Sequence, residues 1–257
     1  MLHQAFFSPW RAIREGGFDP IIRGMISGQA KKSDPQSVMS EELREKLFQL
    51  ANKSGFDLAS LNMQRSRDHG LPLYREWKTK CEELCGTSGT VANLGYSAST
   101  PYITDQTVVT DLLELYGTLD NIDIWIAGLL EEVVPGARVG PTFQCLLAEQ
   151  FQRLRNGDRF YYEGHYSQTK IDAIESFTMS KLICLTTGIE RVPTNAFIQG
   201  APSQLCSQLN ELGLLAEWRE ESNQLNCGIP PSPQDGLLVI LRTFFRFKNF
   251  TQCHVLQ

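Results

Sequence analysis

Apolar positions along the chain recur mainly at the three-to-four spacing of a helix face. In the segment from Ser40 to Ala51, Leu43, Leu47, Phe48 and Ala51 share one face; Ser40 stands at a capping position, Glu41 and Glu42 suit the helix dipole, and Gly55 follows as a stop. A helix is predicted there. A second is predicted from Thr104 to Tyr116, with Val108, Val109, Leu112, Leu113 and Tyr116 as its stripe and Gly117 as its terminator. A third opens at Pro141, buries Phe143, Leu146, Leu147, Phe151 and Leu154, and ends at Asn156-Gly157. Ser167 then caps a segment carrying Ile171, Ile174 and Phe177, and a further short helix holds Leu182, Ile183 and Cys184. No stretch longer than about five residues alternates with period two, which argues against a sandwich or barrel. The fold class expected is mainly α.

Composition narrows the picture. The chain has 257 residues, 42% hydrophobic and 21% charged, enough for one ordinary domain or two small ones with a sizeable core. A net charge of −5 supplies no basic field for nucleic acid. The longest unbroken apolar run, Leu237 to Leu241, is closed by Arg242, whereas a membrane span needs about twenty residues. The first residues, Met1 to Trp10, have neither a basic nor an apolar leader region, which taken alone points to the cytosol. Against this stand seven Cys, at 81, 85, 145, 184, 206, 227 and 253, and two glycosylation acceptors at Asn52-Lys53-Ser54 and Asn249-Phe250-Thr251. Cys81 and Cys85 have no second close pair downstream to complete a zinc site, so disulfides are the better use for some of them. The segment from Gly86 to Pro101 is small and polar, a connector or surface loop. After Ser222 the composition shifts again, and beyond Asp235 there is no acidic residue.

Candidate chemistry concentrates in one place. Of His3, His69, His165 and His254, none has a His or carboxylate three or four residues later, so a metal site made by protein alone is not expected. The glycine words of dinucleotide and P-loop folds and the nucleophile elbow of α/β-hydrolases are absent. What stands out is Asn62-Met-Gln-Arg-Ser-Arg-Asp-His-Gly70, preceded by Asp57-Leu-Ala-Ser-Leu61. Asp68 and His69 could form an acid-base pair with Arg65 and Arg67 holding an anion. Neighbouring side chains seldom converge on one substrate atom, so a turn stapled by Arg-Asp pairs, with His69 structural, is preferred.

The stretch from Leu61 to Pro72, followed by Tyr74 and Trp77, resembles the signature of the animal haem peroxidases. Further words follow in that family's order: Leu115-Tyr-Gly-Thr118, Asp120-Asn-Ile-Asp-Ile-Trp-Ile-Ala-Gly128, Val139-Gly-Pro-Thr142, and Gln150 to Glu163. Upstream, Phe6-Phe7, Trp10-Arg11, Gly16-Gly17, Asp19-Pro20 and Arg23-Gly24 match, as does Trp218-Arg219-Glu220 downstream. Leu73, Arg75, Leu185-Thr186 and residues 82 to 103 depart from the pattern, and the tail from Gln224 resembles nothing in it.

The resemblance implies a helical fold around a buried haem, with iron held by a proximal His and peroxide cleaved by a distal His and an Arg. In the family those groups precede the segment matching Phe6 to Trp10. His3 does not match the proximal position, so no catalytic residue and no metal ligand is assigned. What the family lends to this chain is a supporting shell. Asn62 matches the residue whose side-chain oxygen accepts the proximal His Nδ1–H, and Arg65 matches one that pairs with a haem propionate. Leu58 and Leu61 would wall the porphyrin. The same resemblance implies disulfides Cys81–Cys145 and Cys184–Cys206, leaving Cys85, Cys227 and Cys253 over. Residues 1–222 are then expected to be the C-terminal portion of a peroxidase domain and residues 223–257 a divergent, poorly ordered tail. The implied activity is reduction of hydrogen peroxide with halide, thiocyanate or phenolic donors, in a secreted, disulfide-bonded glycoprotein. The chain alone, a fragment, is expected to be inactive. Its expected partners are haem and the missing N-terminal half of the domain, with self-association through exposed apolar surface. The alternative is a non-catalytic helical binding module built on the same fold.

Overall fold

A computed structural model describes residues 4–31, 37–49, 54–86, 94, 96–97 and 99–209. Helices α1 (Trp10–Arg14), α2 (Asp19–Ser27), α3 (Glu41–Arg44), α4 (Leu58–Asp68) and α5 (Tyr74–Cys85) are followed by α6 (Gln106–Tyr116), α7 (Ile124–Leu130) and α8 (Pro141–Gly157). The described chain ends with α9 (Gln168–Glu175), α10 (Met179–Thr186) and the short strands β1 (Arg191–Pro193) and β2 (Ser203–Leu205), paired antiparallel. The expectation of a mainly α fold holds. The hairpin escaped sequence reading because three residues are too few to show alternation. No helix among the described residues is long and apolar enough to cross a membrane. His3, Asn52, Asn249, Cys227, Cys253 and the tail from residue 223 lie outside the described residues.

Local chemistry explains the helix ends. Asp105 caps α6 by accepting from the Thr107 and Val108 amides at 2.8 and 3.3 Å, so the helix starts two residues after the predicted Thr104. Pro141 opens α8 and Gly157 closes it, as the pattern predicts. The predicted helix over Ser40–Ala51 does not form as such. It stops at Arg44, and the Ser40 side chain makes no capping bond. Leu47 instead exchanges two backbone hydrogen bonds with Phe56, at 3.2 and 2.9 Å, and is buried. Phe48 takes a left-handed conformation, φ 56°, and faces Phe6 and Phe7 with ring centroids 5.4 and 5.3 Å away. Pairing of Leu47 and the edge-on and tilted ring contacts of Phe48 thus override a weak helical propensity.

The chain divides into two compact units, Met1–Pro9 with Ala30–Tyr161 and Trp10–Gln29 with Tyr162–Gln257. In the first, Tyr74, Leu112, Ile122, Ile124 and Ala127 form a core backed by Trp77, Val108, Tyr116, Phe143 and Leu146. Its polar centre is Glu131, just past α7 and 4% exposed. The Tyr74 hydroxyl donates to Glu131 Oε1 at 2.8 Å, the Thr142 hydroxyl donates to Oε1 at 2.5 Å, and the Thr142 amide donates to Oε2 at 2.8 Å. Gly140 is required beside it, because a Cβ there would overlap the Glu131 side chain. In the second unit, Ile183, Ile189 and Val192 pack with Ile22 and Ile26, and Asp19 accepts from the Gly188 amide at 2.8 Å.

Two expectations are corrected. The α8 stripe is covered only over its first turns: Phe143 and Leu146 enter the core, whereas Leu147, Phe151 and Leu154 are 48%, 65% and 55% exposed. The predicted Cys184–Cys206 disulfide is present, but Cys145 bonds Cys85, not Cys81. Cys81 is left as a buried free thiol. Cys81 and Cys85 lie one turn apart on the face of α5 that meets α8, so both reach the same neighbourhood and spacing alone does not choose between them.

A second carboxylate joins the helices of the first unit. Asp123, 5% exposed, receives Arg67 Nε at 3.0 Å, Arg67 Nη2 at 2.7 Å and the Tyr116 hydroxyl at 2.9 Å. The Arg67 fork holds the Asp123 carboxyl below its usual range. A depressed carboxyl stabilises the fold above its unfolded-state value, and that contribution is lost as pH falls through the folded value. Asp123→Asn should therefore lower the urea midpoint at pH 7, with the difference from wild type shrinking as pH falls below the ordinary carboxylate range. Burial pushes Glu131 the opposite way, upward. Its contribution should fall as pH rises from the unfolded-state value towards the folded one and then level off. Glu131→Gln sets an amide N–H₂ against a donor; the expected cost is about 1–3 kcal/mol in urea unfolding, with loss of that pH dependence.

Candidate functional site

Helix α4 carries the polar word singled out in the sequence. Asp57 starts it, accepting from the Ala59 amide at 2.9 Å and the Ser60 hydroxyl at 2.5 Å. Its last turn bears Arg65 and Arg67, and Gly70, at φ 63°, turns the chain out through the left-handed region open to glycine. Leu71 then donates back to the Ser66 carbonyl at 3.0 Å. The Arg67–Asp123 fork fixes this helix against the start of α7, which brings Trp125 beside it.

Between them opens a shallow pocket of about 320 Å³ lined by Asn62, Arg65, Ser66, His69, Leu71 and Trp125. Ser66 is buried and its hydroxyl donates to the Asn62 carbonyl at 3.1 Å. The Asn62 side-chain amide has no hydrogen-bond partner among the described residues. Arg65 is exposed; its Nη1 donates to Asp68 Oδ2 at 2.6 Å and its Nη2 lies 2.7 Å from His69 Nε2. A guanidinium can only donate, so His69 Nε2 is the acceptor in this contact. Arg65 stands between Asp68 and His69, and no hydrogen bond joins those two directly. The arrangement matches the stapled turn rather than an acid-base pair.

Of the residues assigned to the shell by resemblance, the structure brings Asn62 and Arg65 to one pocket. Leu58 and Leu61 lie on the same helix, Leu58 half-buried and Leu61 42% exposed, and neither lines that pocket. Trp125 and Asp123 were given no role by sequence reading. Both lie in the Asp120–Gly128 word, and a buried-phase carboxylate beside an aromatic in a family word was the available signal. Among the described residues, no group of three or more His, Cys, Asp or Glu is placed to hold a metal ion. Chemically, the pocket is lined by an amide, a guanidinium and an indole.

The comparisons agree with one another. The family description "Animal haem peroxidase" matches residues 1–197. Thyroid peroxidase of Rattus norvegicus is 42% identical over 246 residues, covering 93% of this chain and 26% of its own length. Lactoperoxidase of Mus musculus is 41% identical, covering 83% of this chain and 30% of its own. Among solved structures, peroxidase A from Dictyostelium discoideum superposes with a TM-score of 0.54 at 31% identity, over 69% of this chain and 32% of that one. The chain thus spans between a quarter and a third of the length of these relatives. A family match over most of the sequence and a mainly helical fold shared with a peroxidase together make this chain a member of the animal haem peroxidase family.

Proposed function

We propose that this chain supplies the proximal-side wall of a haem peroxidase site. The observation that carries the reading is the unpartnered Asn62 amide, one turn from the exposed Arg65 fork, both lining a pocket with Trp125 and Leu71. These donor types fit haem: a planar guanidinium suits a propionate, and apolar and aromatic side chains suit a porphyrin face. Asn62 would accept from the Nδ1–H of an iron-bound imidazole, which orients the ring and makes it a stronger donor. Arg65 would exchange Asp68 or His69 for a propionate. Leu58 and Leu61 would extend the apolar wall. Bound haem supplies the redox chemistry, two-electron reduction of hydrogen peroxide with a halide, thiocyanate or phenolic donor.

The chain by itself does not turn over peroxide on this reading, because no segment of it matches the family's proximal His, distal His or catalytic Arg. Its partners are haem and the N-terminal portion of a peroxidase domain, with residues 1–222 belonging to that domain. The exposed Leu147, Phe151 and Leu154 on α8 give such a portion an apolar surface to cover, and give the isolated chain a route to self-association. Secretion and glycosylation belong to the same reading. The non-catalytic binding module has no specific observation in its favour.

Haemin titration of the purified chain tests this. Bound haemin should show no sharp histidine-type Soret band and no oxidation of iodide or guaiacol above free haemin; a His-ligated spectrum with turnover would overturn the inactivity. Arg65→Ala should weaken haemin binding roughly three- to tenfold. Haemin dimethyl ester, lacking the carboxylates, should be insensitive to that change. With imidazole added as an external axial ligand, Asn62→Ala should raise the imidazole concentration needed for the spectral shift; an unchanged midpoint would count against the role of Asn62.

A further inference from the structure

The seam between α5 and α8 holds three cysteines, and the peroxidase reading uses none of their chemistry beyond one crosslink. Cys81, Cys85 and Cys145 are each 0% exposed and share one cluster with Tyr96, ringed by Leu84, Tyr102, Leu146 and Ala148. Cys85 and Cys145 are bonded, with Cα atoms 5.8 Å apart. Cys81 sits one helical turn earlier on the same face of α5. Its thiol points at the Thr142 carbonyl, 4.0 Å away and one turn before Cys145 on α8. In the other direction, Cys145 Sγ lies 3.8 Å from the Cys81 carbonyl oxygen. Cys145 Sγ, bonded to Cys85, thus packs against the main chain of Cys81 as well, so all three cysteines share one buried stretch of the seam.

We propose that Cys145 is a shared partner whose disulfide moves between Cys85 and Cys81 by internal thiol–disulfide exchange. The Cys81 thiolate attacks Cys145 Sγ, the Cys81–Cys145 bond forms as the Cys85–Cys145 bond breaks, and Cys85 leaves as a thiolate that takes up the proton Cys81 gave away. One disulfide and one thiol stand on each side, so no external oxidant or reductant is needed. Burial excludes bulky solution thiols, which favours the internal nucleophile. The two isomers differ in mechanical effect: the Cys85 bond pins the last turn of α5 to α8, and the Cys81 bond releases that turn while holding the one before it.

Burial also pushes the Cys81 thiol up to about 12, so the reactive thiolate is scarce near neutrality. Exchange is then slow at pH 7 and climbs about tenfold per pH unit below that value. The test uses the full chain carrying Cys227→Ser and Cys253→Ser, so that no other thiol competes. The protein is held between pH 6 and 9.5, quenched with acid, alkylated and mapped by pepsin under non-reducing conditions. Cys85–Cys145 with a free Cys81 is expected at the start, converting to a mixture with Cys81–Cys145 and a free Cys85 at a rate that rises with pH. A single pairing at every pH, or a Cys81–Cys85 bond with Cys145 free, would overturn the proposal. As a second arm, Cys85→Ser in the same background should still form one crosslink in this cluster, Cys81–Cys145; an alkylatable Cys145 in that variant would count equally against it.

Discussion

The Asp123 carboxylate takes both arms of the Arg67 fork and the Tyr116 hydroxyl, and through that one group α4, α6 and the start of α7 are held in register. Two charges shared among three helices set the rotation of α4 about its own axis far more narrowly than apolar packing does, because a bidentate pair tolerates little angular error. That rotation decides which side chains face Trp125. With Arg67 turned to Asp123, Asn62 and Arg65 fall on the pocket side and Ser66 is buried between them. The two arginines of the word thus divide the labour: one is committed to structure, and the other stays at the surface with only exposed partners.

Much of the fold was legible. The stripes of α6, α8, α9 and α10 follow a helical period over segments long enough to read, and Pro141 marks the start of α8. Two of the failures share a cause, which is pairing with a partner outside the local window. Nothing local announces that Leu47 will bond to Phe56 rather than continue a helix, since the partner lies beyond an intervening segment. The choice between Cys81 and Cys85 is of the same kind: both stand on the correct face, and only three-dimensional registry with α8 separates them. At the candidate site, motif resemblance identified Asn62 and Arg65, whereas Trp125 reaches the pocket through an ion pair spanning 56 residues of sequence separation. Composition does not carry that information.

The half-covered α8 shows how amphipathic patterning can outrun a structure. Its stripe is continuous in sequence, yet burial ends midway along the helix. The helix is thus patterned for cover along its whole length and covered along its first half, leaving Leu147, Phe151 and Leu154 open. The polar centre at Glu131 tells a complementary story, because there every oxygen finds a donor and Gly140 leaves the room to do so.

The Cys184–Cys206 bond brackets the β1–β2 hairpin, whose connecting segment exposes Phe197 and Ile198 at 71% and 58%. Phe197 is a bulky, open side chain of the kind after which a digestive enzyme of chymotrypsin-like preference cuts. A cleaved chain would nonetheless stay in one piece, held by sulfur across the wound and by the short ladder of main-chain bonds on either side of it. Nicking at Phe197 would thus show itself only after reduction, as two bands where a non-reducing gel had shown one.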